Sequence, residues 1–290
     1  MRIVRREDAT APRRRLDAEL VRRGLARSRE HARELVTSGS VLVGGAPVDK
    51  PDRLLHPGDA LVVAAPPPRF VGRGGLKLAA ALDHFDIDPQ GRRCLDAGAS
   101  TGGFTDCLLQ RGARQVWAVD VGRNQLHERL LADPRVVVRD RCNIRALEPS
   151  DTDGPFELVV GDLSFISLRL VARQLVELTM PGATLVVLVK PQFEAGRAEA
   201  SRGRGVIRDP DVWRRVLVEV LDHFEACGGS AIGVLRSPLT GGDGNVEFLA
   251  RITRTAPSSH PAPDPRRPGV EVRLGAELDG VVSVSPNGSE

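Results

Sequence analysis

The sequence predicts an α/β fold, a doubly wound Rossmann-like sheet with a small α+β module in front of it, and three observations carry that prediction. Strand and helix signals alternate from about residue 69 to residue 252. One strand ends in an acid-plus-glycine turn, Asp96-Ala97-Gly98-Ala99-Ser100-Thr101-Gly102-Gly103-Phe104. An arginine-rich segment with its own apolar pattern precedes both. At 290 residues, 41% hydrophobic and 27% charged, the chain can build one sizeable core and a small companion domain.

Residues 1–12 are a polar leader without periodicity, expected to be mobile. Residues 13–63 make the first domain. Arg15 to Arg23 puts Leu16, Leu20 and Val21 on one helical face, with Gly24 as the stop. Ser28 caps a second helix, Arg29 to Ser38, whose buried stripe is Ala32, Leu35 and Val36 and whose exit is Gly39. Val41 to Val43, the Gly44-Gly45 turn, Val48 and Leu61 to Val63 read as short strands. Residues 64–69 are a proline-stiffened linker.

The second domain spans 70–254, with strands expected at 93–96, 115–120, 136–139, 158–162, 183–190, 231–235 and 246–252. Its clearest helix has Asp209 as cap and Pro210 as first residue. Trp213, Val216, Leu217, Val220, Leu221 and Phe224 form the buried face, and Gly228 closes it. Residues 255–290 are proline- and serine-rich and are expected to be disordered, although Val270 to Val284 is apolar.

The formal net charge is only +3, yet residues 1–36 hold eleven arginines against six acids. Such an end suits a polyanion. Arg14, Arg15, Arg22, Arg27, Arg29 and Arg33 lie on or beside the two helices, away from their apolar stripes, and are placed to straddle phosphates. Of the 41 basic residues only Lys50, Lys77 and Lys190 are lysine, so a retained lysine marks a place where a compact, titratable amine is needed. The four cysteines show no paired or metal-type spacing and read as reduced thiols, which points to the cytoplasm and to no bound metal. No apolar run approaches the length of a membrane span.

A dinucleotide site would place a glycine where Ser100 stands, to admit the pyrophosphate. Asp96, Gly98, Gly102 and Gly103 instead give the D-x-G-x-x-x-G-G form used by methyltransferases, and a carboxylate there suits a cationic amine. Asp120 ends the next strand, where it can accept both ribose hydroxyls of S-adenosyl-L-methionine. Asp140 and Asn143 follow the third strand, near the expected adenine, and Ser100, Thr101 and Phe104 complete the cofactor turn. Asp162 ends the fourth strand in Gly161-Asp162-Leu163-Ser164-Phe165, without the two prolines of enzymes that methylate exocyclic base amines. No cysteine has the setting of a nucleophile for base-carbon methylation. Lys77, Asp162, Lys190 and Glu247 converge instead as four alternating charges at one sheet edge.

Those four residues resemble the Lys-Asp-Lys-Glu tetrad of the FtsJ-like ribose 2′-O-methyltransferases. The first domain resembles the S4 RNA-binding module in Arg15-Leu16-Asp17, Gly24-Leu25-Ala26-Arg27-Ser28-Arg29 and Gly39-Ser40-Val41. With both together, the chain is identified as a member of the TlyA family of ribosomal RNA cytidine-2′-O-methyltransferases, some of which carry the label hemolysin A. The resemblance covers roughly residues 13–253, in Gly72-Arg73-Gly74-Gly75-Leu76-Lys77, Asp162-Leu163-Ser164-Phe165-Ile166-Ser167, Val189-Lys190-Pro191-Gln192-Phe193-Glu194 and Gly244-Asn245-Val246-Glu247. It implies ribosomal RNA within ribosomal subunits as the partner and cytidine as the target, and it gives no oligomeric state.

Within the tetrad, Lys190 is the favoured base or alkoxide stabiliser and Asp162 its orienter, with Lys77 and Glu247 holding the nucleotide. Gly196, Gly203 and Gly205, with Arg197, Arg202, Arg204 and Arg208, are placed to form a basic loop over a flipped-out nucleotide. The rivals are a non-catalytic RNA-binding ribosome assembly factor, which predicts degraded cofactor and tetrad positions, a dehydrogenase, and a membrane-active hemolysin, which needs a lytic segment the sequence lacks.

Overall fold

The structure, a computed structural model, describes residues 13–64, 68–196, 199, 203–255 and 269–283. The leader 1–12, part of the linker and part of the 196–208 basic segment lie outside the described residues. The chain divides after Arg69 into two units.

The first unit comprises β1 (Arg14–Arg15), α1 (Leu16–Arg22), α2 (Arg29–Thr37), β2 (Val41–Val43), β3 (Ala46–Pro47), β4 (Leu54–Leu55) and β5 (Leu61–Val63). β2 pairs antiparallel with β3 and β5, and β1 with β4. Leu16, Leu20, Ala32, Val36, Val41 and Leu55 are buried together between helices and strands. The punctuation is local: Ser28 Oγ accepts from His31 N at 3.1 Å to start α2, and Gly39 ends it at φ +74°.

The second unit carries α3 (Gly74–His84), β6 (Arg93–Ala97), α4 (Gly103–Gln110), β7 (Gln115–Val119), α5 (Glu128–Leu131), β8 (Val136–Arg139), β9 (Phe156–Gly161), α6 (Ala172–Leu178), β10 (Thr179–Val189), α7 (Pro191–Glu194), α8 (Pro210–Ala226), β11 (Gly229–Arg236), β12 (Phe248–Arg254) and α9 (Val270–Ser283). Seven strands form one sheet in the order β11-β12-β10-β9-β6-β7-β8. β10, β9, β6, β7 and β8 run parallel, whereas β12 is antiparallel to both β10 and β11. The strand order reverses between β6 and β9, which makes that crevice the place where an open sheet of this kind takes its ligand.

Alternation along the strands divides the core. Leu95, Trp117, Val159 and Val187 face α6, α8 and α9, while Cys94, Val116, Leu158 and Val186 face α3 and α4. α8 starts as expected, with Asp209 accepting from Asp211 N at 3.0 Å, and Gly228 follows it at φ +92°. α3 is missing from the expected elements because Gly74 and Gly75 open it, although Leu76 to Leu82 is a run of strong helix formers. The reason for the glycines is tertiary, since a Cβ on Gly75 would collide with Phe70.

The expected disordered tail is corrected at Val270–Ser283, which is helical. α9 buries Val270, Leu278 and Val282 in the core shared with α8 and β11. Glu277 accepts from Val234 N at 2.6 Å on β11, the edge strand. Proline and serine on both sides set the local composition, while the helix itself forms because it has an apolar stripe to bury. Residues 256–268 and 284–290 lie outside the described residues. No helix among the described residues is long and apolar enough to cross a membrane.

Because Leu278 is fully buried, Leu278→Ala should cost about 2–5 kcal/mol of unfolding free energy. A urea melt reads it as a lower midpoint, and an unchanged midpoint would return this helix to the status of a detached tail.

Candidate active site

The crevice between β6 and β9 is built on backbone contact. Asp162 N donates to Ala97 O at 3.0 Å, and Gly98, at φ +87°, lies so near the Asp162 carbonyl that a Cβ would sit 2.7 Å from it. Gly98 N and Ala99 N then donate to Val119 O at 2.8 and 3.1 Å, turning the chain across the sheet edge. Gly102, at φ +95°, starts α4, and any side chain there would strike Leu126 and Leu130. Gly103 has equally little room, since its Cβ would lie 2.9 Å from Gly75 N.

One cavity of about 550 Å³ opens beside this turn, lined by Gly98, Ser100, Asp120 and Asn143 together with apolar Val119 and Ile144. Asp120 Oδ2 accepts from Ser100 N at 2.8 Å and Oδ1 from Gly122 N at 2.7 Å, which fixes the carboxylate while each oxygen keeps a further lone pair. Thr101, Gly103 and Phe104 line a smaller adjoining cavity of about 200 Å³ with Asp162, Ser164 and Lys190. Three expected cofactor residues lie behind these walls. Gly102 is packed under Leu126 and Leu130, and Asp140 accepts from Asn124 N at 2.8 Å, holding a turn. Asp96 is fully buried, with Thr105 Oγ1 donating to one oxygen at 2.7 Å and the other oxygen unpartnered among the described residues.

Burial pushes the Asp96 carboxyl up to about 7, against the hydrogen bond from Thr105 and with the help of the charges on Asp162 and Asp120. Two carboxyl groups, Asp120 and Asp162, line the crevice, and Asp96 is buried close behind it with an unpartnered oxygen. That donor set fits a ligand carrying cationic groups and sugar hydroxyls, and it repels a pyrophosphate.

A second cavity, about 560 Å³, adjoins the first and is lined by Lys77, Asp162, Lys190 and Glu247. The four charges form two pairs. Lys77 Nζ lies 2.5 Å from Glu247 Oε2. Lys190 Nζ lies 2.6 Å from Asp162 Oδ1, in ion-pair contact without hydrogen-bond angles, and donates to Ser164 Oγ at 2.7 Å. Lys190 comes from the end of β10 and Asp162 from the end of β9. Glu247 stands just before β12, whose reversed direction brings its entry to the same edge, and Lys77 projects from the first turn of α3. Asp162 and Ser164 line all three cavities.

Sequence reasoning passed over several residues in this wall or buried behind it. Ser164 and Glu194 are small-loop and short-helix residues with no periodic signal. Asn245, buried, donates to Gly205 O at 2.8 Å and accepts from Ile207 N at 3.0 Å, thereby fixing a stretch of the basic segment against the second cavity. Phe165 is 91% exposed at φ +63°, with its ring 5.3 Å from that of Phe193 at the cavity mouth.

All six arginines expected to meet nucleic acid are exposed on the first unit. Three of them also clamp buried acids. Arg15 donates twice to Asp17 at 3.1 Å, with Arg33 3.6 Å from the same carboxylate, and Arg22 donates to Glu19 at 2.8 and 2.6 Å. The Arg22 bonds, assisted by Arg23 and opposed by burial, hold the Glu19 carboxyl down to about 2. Arg14, Arg27 and Arg29 make no ion pair among the described residues.

A carboxylate-lined crevice at the switch point of such a sheet, joined to a cavity with two lysine–carboxylate pairs, is the arrangement of a methyltransferase. The FtsJ-like methyltransferase family profile matches residues 70–254, and the S4 domain profile matches residues 14–61. The chain belongs to the FtsJ-like methyltransferases, and within them to the TlyA family. It is 50% identical to the 16S/23S rRNA (cytidine-2′-O)-methyltransferase TlyA of Mycobacterium tuberculosis, over 82% of this chain and 89% of that one. It is 46% identical to the rRNA methyltransferase YqxC of Bacillus subtilis, over 84% and 86%. A solved structure described as a hemolysin from Streptococcus thermophilus matches with a TM-score of 0.67 at 39% identity, covering 93% of this chain and 94% of that one.

The raised carboxyl of Asp96 sets a pH dependence. A group whose proton is held more tightly in the folded state adds stability that is complete below the unfolded value of 3.8 and is lost as pH rises through about 7. Asp96→Asn removes that loss, so its stability relative to wild type should be greater at pH 8 than at pH 5. Urea midpoints at the two pH values measure it, and a pH-independent difference would contradict the assignment.

Proposed function

We propose that this protein is an S-adenosyl-L-methionine-dependent methyltransferase acting on the ribose 2′-hydroxyl of cytidine in ribosomal RNA, with ribosomal subunits as its physiological substrates. The observation that carries the reading is the pairing of Lys190 with Asp162 and of Lys77 with Glu247 around one cavity that adjoins a carboxylate-lined ligand crevice. The names of the two curated relatives support the substrate.

Asp120 would hold the ribose hydroxyls of the cofactor, Asn143 with Val119 and Ile144 its adenine, and the Ser100–Gly103 backbone its close side, with Asp96 buried behind that turn. When bound, S-adenosyl-L-methionine supplies a methyl carbon made electrophilic by the sulfonium. The protein's own work is alignment and proton handling. Lys190 Nζ donates to Ser164 Oγ and lies in ion-pair contact with Asp162, which leaves a direction open for the acceptor oxygen in the cavity. From there the amine takes the 2′-proton when neutral, or stabilises the developing alkoxide when charged. Asp162 orients it, and Lys77 with Glu247 holds the nucleotide so that the oxygen faces the crevice. The exposed Phe165 ring at the mouth offers a stacking face to an unpaired base. Arg14, Arg27 and Arg29, together with the paired Arg15, Arg22 and Arg33, contact RNA phosphates.

Lys190→Arg keeps the charge but does not deprotonate, so kcat should fall by roughly 10²–10⁴ while S-adenosyl-L-methionine affinity is retained. Undiminished turnover would eliminate the base role. Incubating isolated ribosomal subunits with radiolabelled methyl donor and mapping the blocked ribose tests the reaction itself, and a substrate with 2′-deoxycytidine at the mapped site should accept no methyl group. Arg14→Ala, Arg27→Ala and Arg29→Ala combined should raise the RNA KM and flatten its salt dependence, leaving cofactor affinity unchanged.

A further inference from the structure

The loop after β9 departs from ordinary backbone at one point, Phe165, a bulky side chain at φ +63°. A residue in that region persists only where its surroundings over-determine it. Here the surroundings are two polar clamps that spring from a single short turn. At the start of α7, Lys190 reaches Asp162 and Ser164, on the N-terminal side of Phe165. At its other end Glu194 reaches the C-terminal side, where Oε2 accepts from Ser167 Oγ and Oε1 from Leu168 N, both at 2.6 Å. Glu194 is buried, and Arg169 closes the arrangement with its Nε 3.5 Å from the carboxylate and its Nη2 donating to Glu194 O at 2.8 Å. The four-residue helix that presents the lysine thus also grips the far side of the loop carrying Ser164 and Phe165. None of the groups touching Glu194 belongs to the tetrad.

We propose that Glu194 is a positioning residue for the acceptor nucleotide. By holding Ser167 and Leu168 it fixes the 164–168 loop, and with it the Phe165 ring and the Ser164 hydroxyl, at a set place relative to Lys190. This rests on the acceptor-cavity reading given above. Removing the carboxylate leaves the buried Leu168 N–H without its acceptor and frees one end of the loop, while Lys190, Asp162 and the cofactor crevice keep their own contacts. Glutamine keeps one of the two contacts, its oxygen accepting from Leu168 N, whereas Ser167 Oγ already accepts from Arg169 N and Nε and loses its own acceptor.

The test compares Glu194→Ala and Glu194→Gln in the full chain with wild type. Hydrogen exchange of peptides covering 163–170 reads the loop directly and needs no turnover. It should speed up at least about tenfold in Glu194→Ala and by less in Glu194→Gln, which keeps the acceptor for Leu168 N. In steady-state methylation of ribosomal RNA, Glu194→Ala should raise the RNA KM by about tenfold with S-adenosyl-L-methionine affinity within about twofold, and Glu194→Gln should recover part of the loss. In a Phe165→Ala background the Glu194→Ala effect on KM should shrink, because both act through one loop. Unchanged exchange over 163–170, additive effects in the double variant, or a parallel loss of cofactor affinity would each overturn the proposal. A wild-type protein that methylates no RNA would instead sink the parent reading, with the exchange result still deciding whether Glu194 holds the loop.

Discussion

The active site depends on one close backbone approach, that of Gly98 to the carbonyl of Asp162. With Asp162 N bonded to Ala97 O at 3.0 Å and no space for a Cβ at Gly98, the end of β6 and the end of β9 are locked in register. β6 delivers the turn that lines the nucleotide crevice, and β9 delivers the carboxylate and serine that line the acceptor cavity. The two cavities share Asp162, Ser164 and Phe165 as a common wall. A glycine here is therefore a distance requirement as much as a conformational one.

Charge in this region is handled by pairing where it is needed rigid and by leaving capacity where a ligand belongs. Lys77 with Glu247 and Lys190 with Asp162 are compact pairs in which removing one partner strands a buried or half-buried charge. Among the described residues Asp96 and Asp120 have no cationic side chain within ion-pair distance; backbone amides and one hydroxyl serve them instead. The first unit uses the same division. Asp17 and Glu19 hold some arginines as structure, and others on the same exposed surface are left to the solvent.

Much of this was legible in the sequence where a pattern had a single physical cause. The strands of the large sheet stand close to where apolar runs placed them, because a sheet covered on both faces demands continuous apolar residues. The caps at Ser28 and Asp209 and the stop at Gly39 follow from side-chain and backbone chemistry that acts within a few residues. Lys77, Asp162, Lys190 and Glu247 were distinguishable because lysine is scarce here and strand ends are where ligands bind. What could not be read had a distant cause. The two glycines that open α3 are required by the close approach of Phe70 and Gly103, and α9 forms because the core beside α8 had an uncovered face. Asp96 and Asp140 look equivalent to Asp120 as acids at strand ends, yet one turns into the core and another props a turn, a difference set by neighbours from other elements.

The reversed strand β12 has a consequence for how such an enzyme can change over time. A wholly parallel sheet would bring a new charge to this edge only through a further crossover helix packed on the core. An antiparallel strand offers its beginning there instead, so Glu247 arrives straight from the surface connection that spans residues 237–247. Insertions in that connection can reshape the receiving side for a different nucleic-acid neighbourhood without disturbing the sheet or the donor side. Mutation can thus redraw target choice and leave the chemistry in place.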